Sequence, residues 1–76
     1  MKLYFRDNKD ELEFITEIYD YRGVISSVEL NEIITADLEN RKPGFASYYN
    51  RFWLDDNDDM WIDFGSHTEF YVLKKE

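Results

Sequence analysis

The sequence has no cysteine, one histidine, one proline and three glycines among 76 residues. Without cysteine no disulfide can staple the fold and no thiolate zinc site can form, and nothing points to an oxidising compartment. One histidine removes the two-histidine metal sites. Basic residues are scarce, 9 against 17 acids, and the formal net charge of −8 repels nucleic-acid phosphates and anionic membranes. Direct nucleic-acid binding is therefore not expected. No apolar run approaches the roughly 20 residues that a bilayer requires, and the N-terminus lacks the apolar core of a signal peptide, so the expected location is the cytoplasm. No linker, repeat or low-complexity tail interrupts the chain, which reads as a single small globular domain over residues 1–76.

What the chain does have is aromatic side chains, 18% of the total. A domain of this size buries only roughly 60% of the surface its unfolded chain exposes. Large rings partly compensate, and self-association into a homodimer is a second way to bury surface.

The stretch from Phe45 to Leu73 carries both tryptophans, the longest acidic cluster and the histidine. Three β-like runs, Tyr48 to Leu54, Met60 to Phe64 and Glu69 to Leu73, are separated by Asp55-Asp56-Asn57-Asp58-Asp59 and by Gly65-Ser66-His67-Thr68, both rich in turn formers. Alternation predicts one face built from Phe52, Leu54, Met60, Ile62, Phe64, Phe70 and Val72. The opposite face then carries Tyr49, Arg51, Trp53, Trp61, Asp63 and Tyr71. That second set mixes amphipathic rings with charges, as suits a surface that meets a partner.

Upstream, Lys2 to Arg6 alternates, with Leu3 and Phe5 on one side and Lys2, Tyr4 and Arg6 on the other, and Asp7-Asn8-Lys9-Asp10 follows as a turn. Glu11 to Tyr19 fits a strand with Leu12, Phe14 and Ile18 inward and Ile15-Thr16 out of step, and it also fits an amphipathic helix. Its β-branched and aromatic content and the preceding turn favour the strand. Ser26-Ser27-Val28-Glu29 has capping-box spacing, and a helix is predicted from there to about Arg41. Leu30, Ile33, Ile34 and Leu38 form its apolar stripe. Asp37 falls inside that stripe, one turn before Arg41, a potential partner. Lys42-Pro43-Gly44 ends the helix. The predicted fold is α+β in the order ββαβββ, an antiparallel sheet with one helix packed across one face.

Ser47-Tyr48-Tyr49 with Arg51 and Trp53, followed by Trp61-Ile62-Asp63-Phe64-Gly65-Ser66-His67-Thr68-Glu69-Phe70, resembles a pattern in small uncharacterised proteins encoded by phages and mobile elements of Gram-positive bacteria. The likeness covers the C-terminal third and, loosely, the opening strand. It implies a phage context, in which a host enzyme or a virion component is the natural partner, and it implies no activity.

The catalytic motifs in the chain are incomplete. Asp63-Phe64-Gly65 matches the kinase metal-binding triplet by letter, without the glycine-rich and catalytic loops that give it meaning. His67 lies near Asp63 and Glu69 in sequence, but as a turn residue between two strands it reads as structural, with the neighbouring hydroxyls closing backbone bonds. Asp55, Asn57 and Asp59 alternate as in a calcium loop, yet Met60 and Ser66 stand where glycine and a bidentate glutamate are required. No catalytic, metal or cofactor role is expected.

Two surfaces remain as candidates. Tyr4, Tyr49, Arg51, Trp53, Trp61, Asp63 and Tyr71 combine the residue types that dominate protein interfaces. Glu29, Glu32, Glu39, Asp55, Asp56, Asp58 and Asp59 could present carboxylates in place of phosphates to a nucleic-acid enzyme. Together they predict a non-enzymatic, acidic protein-interaction module, an inhibitor of a host defence or nucleic-acid-processing enzyme in its sharper form. The alternative is a structural, assembly or self-associating role without inhibition.

Overall fold

The computed structural model describes residues 1–18, 27–45 and 51–75. Strands β1 (Lys2–Arg6) and β2 (Leu12–Glu17) form a hairpin, helix α1 (Ser27–Arg41) follows, and β3 (Arg51–Leu54), β4 (Met60–Asp63) and β5 (Phe70–Lys74) complete the chain. The five strands make one antiparallel sheet in the order β2-β1-β5-β4-β3. This is the predicted ββαβββ arrangement, with Leu12–Glu17 of the ambiguous segment after Asp10 forming a strand and Tyr19 lying outside the described residues.

One device closes both tight hairpins. In the first, Asp7 Oδ1 accepts the N–H groups of Lys9 and Glu11 at 2.8 and 3.0 Å, and Asp10 sits at φ 65°. In the second, Asp55 Oδ1 accepts those of Asn57 and Asp59 at 2.8 and 3.1 Å, and Asp58 sits at φ 63°. A short carboxylate can bond its own backbone two residues on, and aspartate tolerates the left-handed region better than most residues. Aspartate therefore recurs at both roles.

Helix α1 lays Leu30, Ile34 and Leu38 on the sheet, where they join Leu3, Phe5, Ile18, Ile62, Phe64, Tyr71 and Leu73 in the core, with Ile33 packed at its margin. The helix ends as predicted: Lys42 N–H still bonds Leu38 O at 2.8 Å, and Gly44 turns the chain at φ 80°. Ser26, the first residue of the capping box, lies outside the described residues.

Three expectations about the core are corrected. Leu12 and Phe14 are exposed, because Leu3 pairs with Thr16 while Tyr4 pairs with Phe14. The extra residue, Ile15, is a β-bulge that turns Leu12 and Phe14 to the far face while Ile18 stays inward. On β5 the inward residues are Tyr71 and Leu73, not Phe70 and Val72: Ile62 pairs with Tyr71, and Trp61 with Val72. Phe52 and Leu54 face the same side as Ile62 but stay 52% and 61% exposed. A helix about 10–12 Å wide covers only two or three strands spaced about 4.8 Å apart, so the edge strand lies beyond it.

The inward turn of Tyr71 accounts for the polar residue in the helix stripe. Tyr71 is fully buried between Phe5 and Phe64, and its hydroxyl donates to Asp37 Oδ2 at 2.8 Å. Arg41 Nε donates to the same oxygen at 2.5 Å, its Nη2 bonds Glu13 of β2, and its guanidinium lies 4.1 Å from the Phe5 ring centre. Asp37 thus ties the helix to the sheet. Burial, and then the bond to Asp37, raise the Tyr71 pKa well above the tyrosine range. Burial lowers that of Arg41, but the bonds to Glu13 and Asp37 outweigh it and the net shift is upward.

Candidate functional site

With the helix on one side, the opposite face of the sheet carries the rings. Phe14, Tyr4, Val72, Trp61 and Trp53 stand directly opposite one another in turn, a single row crossing all five strands. The rings meet edge-on or stacked: Tyr4 and Phe14 at 5.8 Å, Trp53 and Trp61 at 6.1 Å, and Phe70 against both tryptophans at 5.5 and 5.6 Å. Val72 is buried beneath this layer although it does not belong to the core cluster on the helix side.

Two arginines clamp the row. The Arg6 guanidinium lies 5.1 Å from the Trp61 ring and 5.6 Å from Phe70, and that of Arg51 lies 5.1 Å from Trp53. Both lie within the roughly 6 Å over which a cation is drawn to a ring face. Directly opposite Arg51 on β4 is Asp63, wholly buried, with Oδ1 accepting Gly65 N–H at 2.8 Å. Its Oδ2 lies 3.7 Å from both Arg51 and His67 Nδ1 and has no hydrogen-bond partner among the described residues.

Tyr4, Arg51, Trp53, Trp61 and Asp63 of the predicted partner surface therefore share this face. Tyr71 does not, because the register after the Gly65 turn sends it into the core, and Tyr49 lies outside the described residues. Arg6, Phe14 and Phe70 belong to the face and were not among the predicted site residues. The alternation of the first strand already set Arg6 beside Tyr4. The irregularity at Ile15-Thr16 was the one signal for Phe14, and Phe70 had no local signal.

The predicted acidic surface is less uniform. Asp55 closes its turn while staying partly exposed, and its Oδ2 accepts Trp61 Nε1 at 2.8 Å, so the tryptophan bond first and the turn N–H groups after it hold its carboxyl below the usual aspartate range. Asp59 is buried and meets Lys74 at 3.3 Å. Asp56 and Asp58 are exposed, the latter 3.7 Å from Lys75, and Glu29, Glu32 and Glu39 are exposed on the helix.

His67 occupies a left-handed turn position, φ 69°, with its side chain 74% exposed. Ser66 Oγ accepts Glu69 N–H at 3.3 Å in the same turn. Among the described residues, no three histidine, aspartate or glutamate side chains converge as metal ligands, and no helix is long and apolar enough to cross a membrane. Comparison with protein-family models, curated proteins and solved structures finds no match to this chain.

Proposed function

We propose that this chain is a non-enzymatic module that binds a protein partner through the helix-free face of its sheet. The observation that carries the reading is the far-face row Phe14, Tyr4, Val72, Trp61 and Trp53 crossing all five strands, ringed at both ends and flanked by Arg6 and Arg51. Tryptophan, tyrosine and arginine most often dominate binding energy, and here they lie in one rigid layer whose ordering cost is met on folding. The net charge of −8 favours a partner with a basic surface and speeds the encounter. Taken with the resemblance to phage and mobile-element proteins, this makes a host nucleic-acid-processing or defence enzyme the natural partner and inhibition the natural effect. An assembly role without inhibition is the alternative.

Capture from a host lysate tests it. Trp53→Ala and Phe14→Ala should each weaken capture at least about tenfold, as truncated interface anchors do. Asp56→Asn combined with Asp58→Asn should chiefly reduce capture at low salt. Asp55 and Asp59 are left intact because they hold their turn and Lys74. If the ring variants fold and capture normally while the charge variant does not, the acidic surface is the docking site and the face reading fails.

A further inference from the structure

The sheet has two edges, and they are defended unequally. At one, β2 carries the Ile15 bulge and the carboxylates of Glu13 and Glu17, devices that discourage strand addition. At the other, β3 reads Arg-Phe-Trp-Leu, with no bulge in its pairing to β4 and two exposed apolar side chains.

The backbone of β3 has a defined polarity. Asp55 N–H bonds Asp59 O at 3.0 Å, so the alternation of an antiparallel ladder turns the amide groups of Trp53 and Arg51 toward β4 and those of Phe52 and Leu54 away from it. Phe52 and Leu54 thus offer outward backbone groups together with exposed side chains. A strand added here must bond those two residues, and β3 itself fits in one particular register. With Trp53 opposite the second copy's Trp53, Phe52 falls opposite its Leu54 as a hydrogen-bonded pair, and Arg51 falls opposite its Asp55. Both apolar side chains gain an apolar neighbour, and opposite charges meet at each end. A shift by two residues either way sets Phe52 against Phe52 or Leu54 against Leu54 and loses both charge pairs. At the other edge the same exercise sets exposed Leu12 opposite Phe14 but puts Glu13 against Glu13 on the axis, and the Ile15 bulge ends the ladder there.

We propose that β3 pairs antiparallel with β3 of a second copy of this chain, with Trp53 on the two-fold axis, making one continuous ten-stranded sheet. The pair is isologous and closed, since each copy has one such edge among the described residues. Both helices lie on the same side, and the two ring rows join end to end. The inference stands on the edge backbone and its side chains, not on the partner reading, because Phe52 and Leu54 belong to the helix side.

Single cysteines give the register directly, since the chain has none of its own. Directly opposed Cβ atoms lie about 4.5–5.5 Å apart and diagonal ones about 7–8 Å, too far for a disulfide. On mild oxidation, Trp53→Cys should crosslink to itself. Phe52→Cys and Leu54→Cys should not do so alone, but an equimolar mixture of the two should form a mixed disulfide. Sedimentation of the wild-type chain from about 1 µM to about 1 mM should show a monomer–dimer equilibrium near physiological salt, where charges more than about 8 Å apart are largely screened. Phe52→Lys and Leu54→Lys alter side chains exposed in the single copy, so each should keep the melting temperature of the monomer at the dilute end of that range and weaken dimerisation at least about tenfold. A wild-type chain that stays monomeric throughout overturns the proposal. So does a dimer that forms equally well with lysine at both positions.

Discussion

Replacing Tyr71 with phenylalanine removes one hydroxyl from the centre of the core and leaves its ring against Phe5 and Phe64. The lost bond runs at 2.8 Å to a carboxylate, and hydrogen bonds to charged groups contribute about 1.5–3 kcal/mol. Asp37 keeps Arg41 and has a side chain 19% exposed, so water relieves part of the loss and about 2 kcal/mol is expected. In a domain of 60–100 residues that lowers the melting temperature by about 10 °C. Asp37→Leu alone should cost more, about 3 kcal/mol, because the buried Tyr71 hydroxyl loses its acceptor and Arg41 loses a partner. Combining the two removes both halves of the bond, so the double variant should be no less stable than Asp37→Leu, a coupling of at least about 2 kcal/mol. Urea unfolding followed by circular dichroism measures all four species, with unchanged slopes as the check that the unfolded state is common to them. A Tyr71→Phe loss below about 0.5 kcal/mol, with the two single losses adding, would refute the claim that this bond docks the helix.

Other outcomes follow from the same geometry. The two shifted acids act at opposite ends of the pH range: the raised Tyr71 pKa contributes stability below the ordinary tyrosine value of about 10 that is lost as pH rises beyond it, a loss absent from Tyr71→Phe in alkaline unfolding. The depressed Asp55 pKa contributes stability above the ordinary value of about 3.9 that is lost as pH falls through its lower folded value, and Asp55→Asn should flatten that acid limb. Leu30→Ala, in the core, should cost about 2–5 kcal/mol, whereas Leu12→Ala, on the exposed far face, should change stability by less than about 1 kcal/mol in the same urea assay. Gly65→Ala meets no atom within 4 Å but places a side chain at φ 108°, so thermal melts should show a loss of about 1–3 kcal/mol from backbone strain alone.

Much of this molecule is legible in its local chemistry. Alternation marks β1, β3 and β4, the carboxylate-rich turns mark the β1–β2 and β3–β4 hairpins, the apolar spacing of Leu30, Ile34 and Leu38 marks the helix, and Lys42-Pro43-Gly44 marks its end. Each of those signals acts within a few residues, where side-chain period and backbone bonding are decided. What the sequence alone leaves open, or misassigns, depends on how distant segments register. A strand pattern says that neighbours point to opposite faces, not which face is inward, and one extra residue exchanges the two. The Ile15 bulge does this for Phe14, and the connection from Phe64 to Glu69 does it for Tyr71 and Phe70. Only the tertiary structure supplies the helix carboxylate that makes a buried tyrosine hydroxyl tolerable, because Asp37 and Tyr71 are 34 residues apart in the chain. The ring row has the same origin. Its members come from five strands, and they line up because β5 inserts between β1 and β4 with its Val72 side away from the helix.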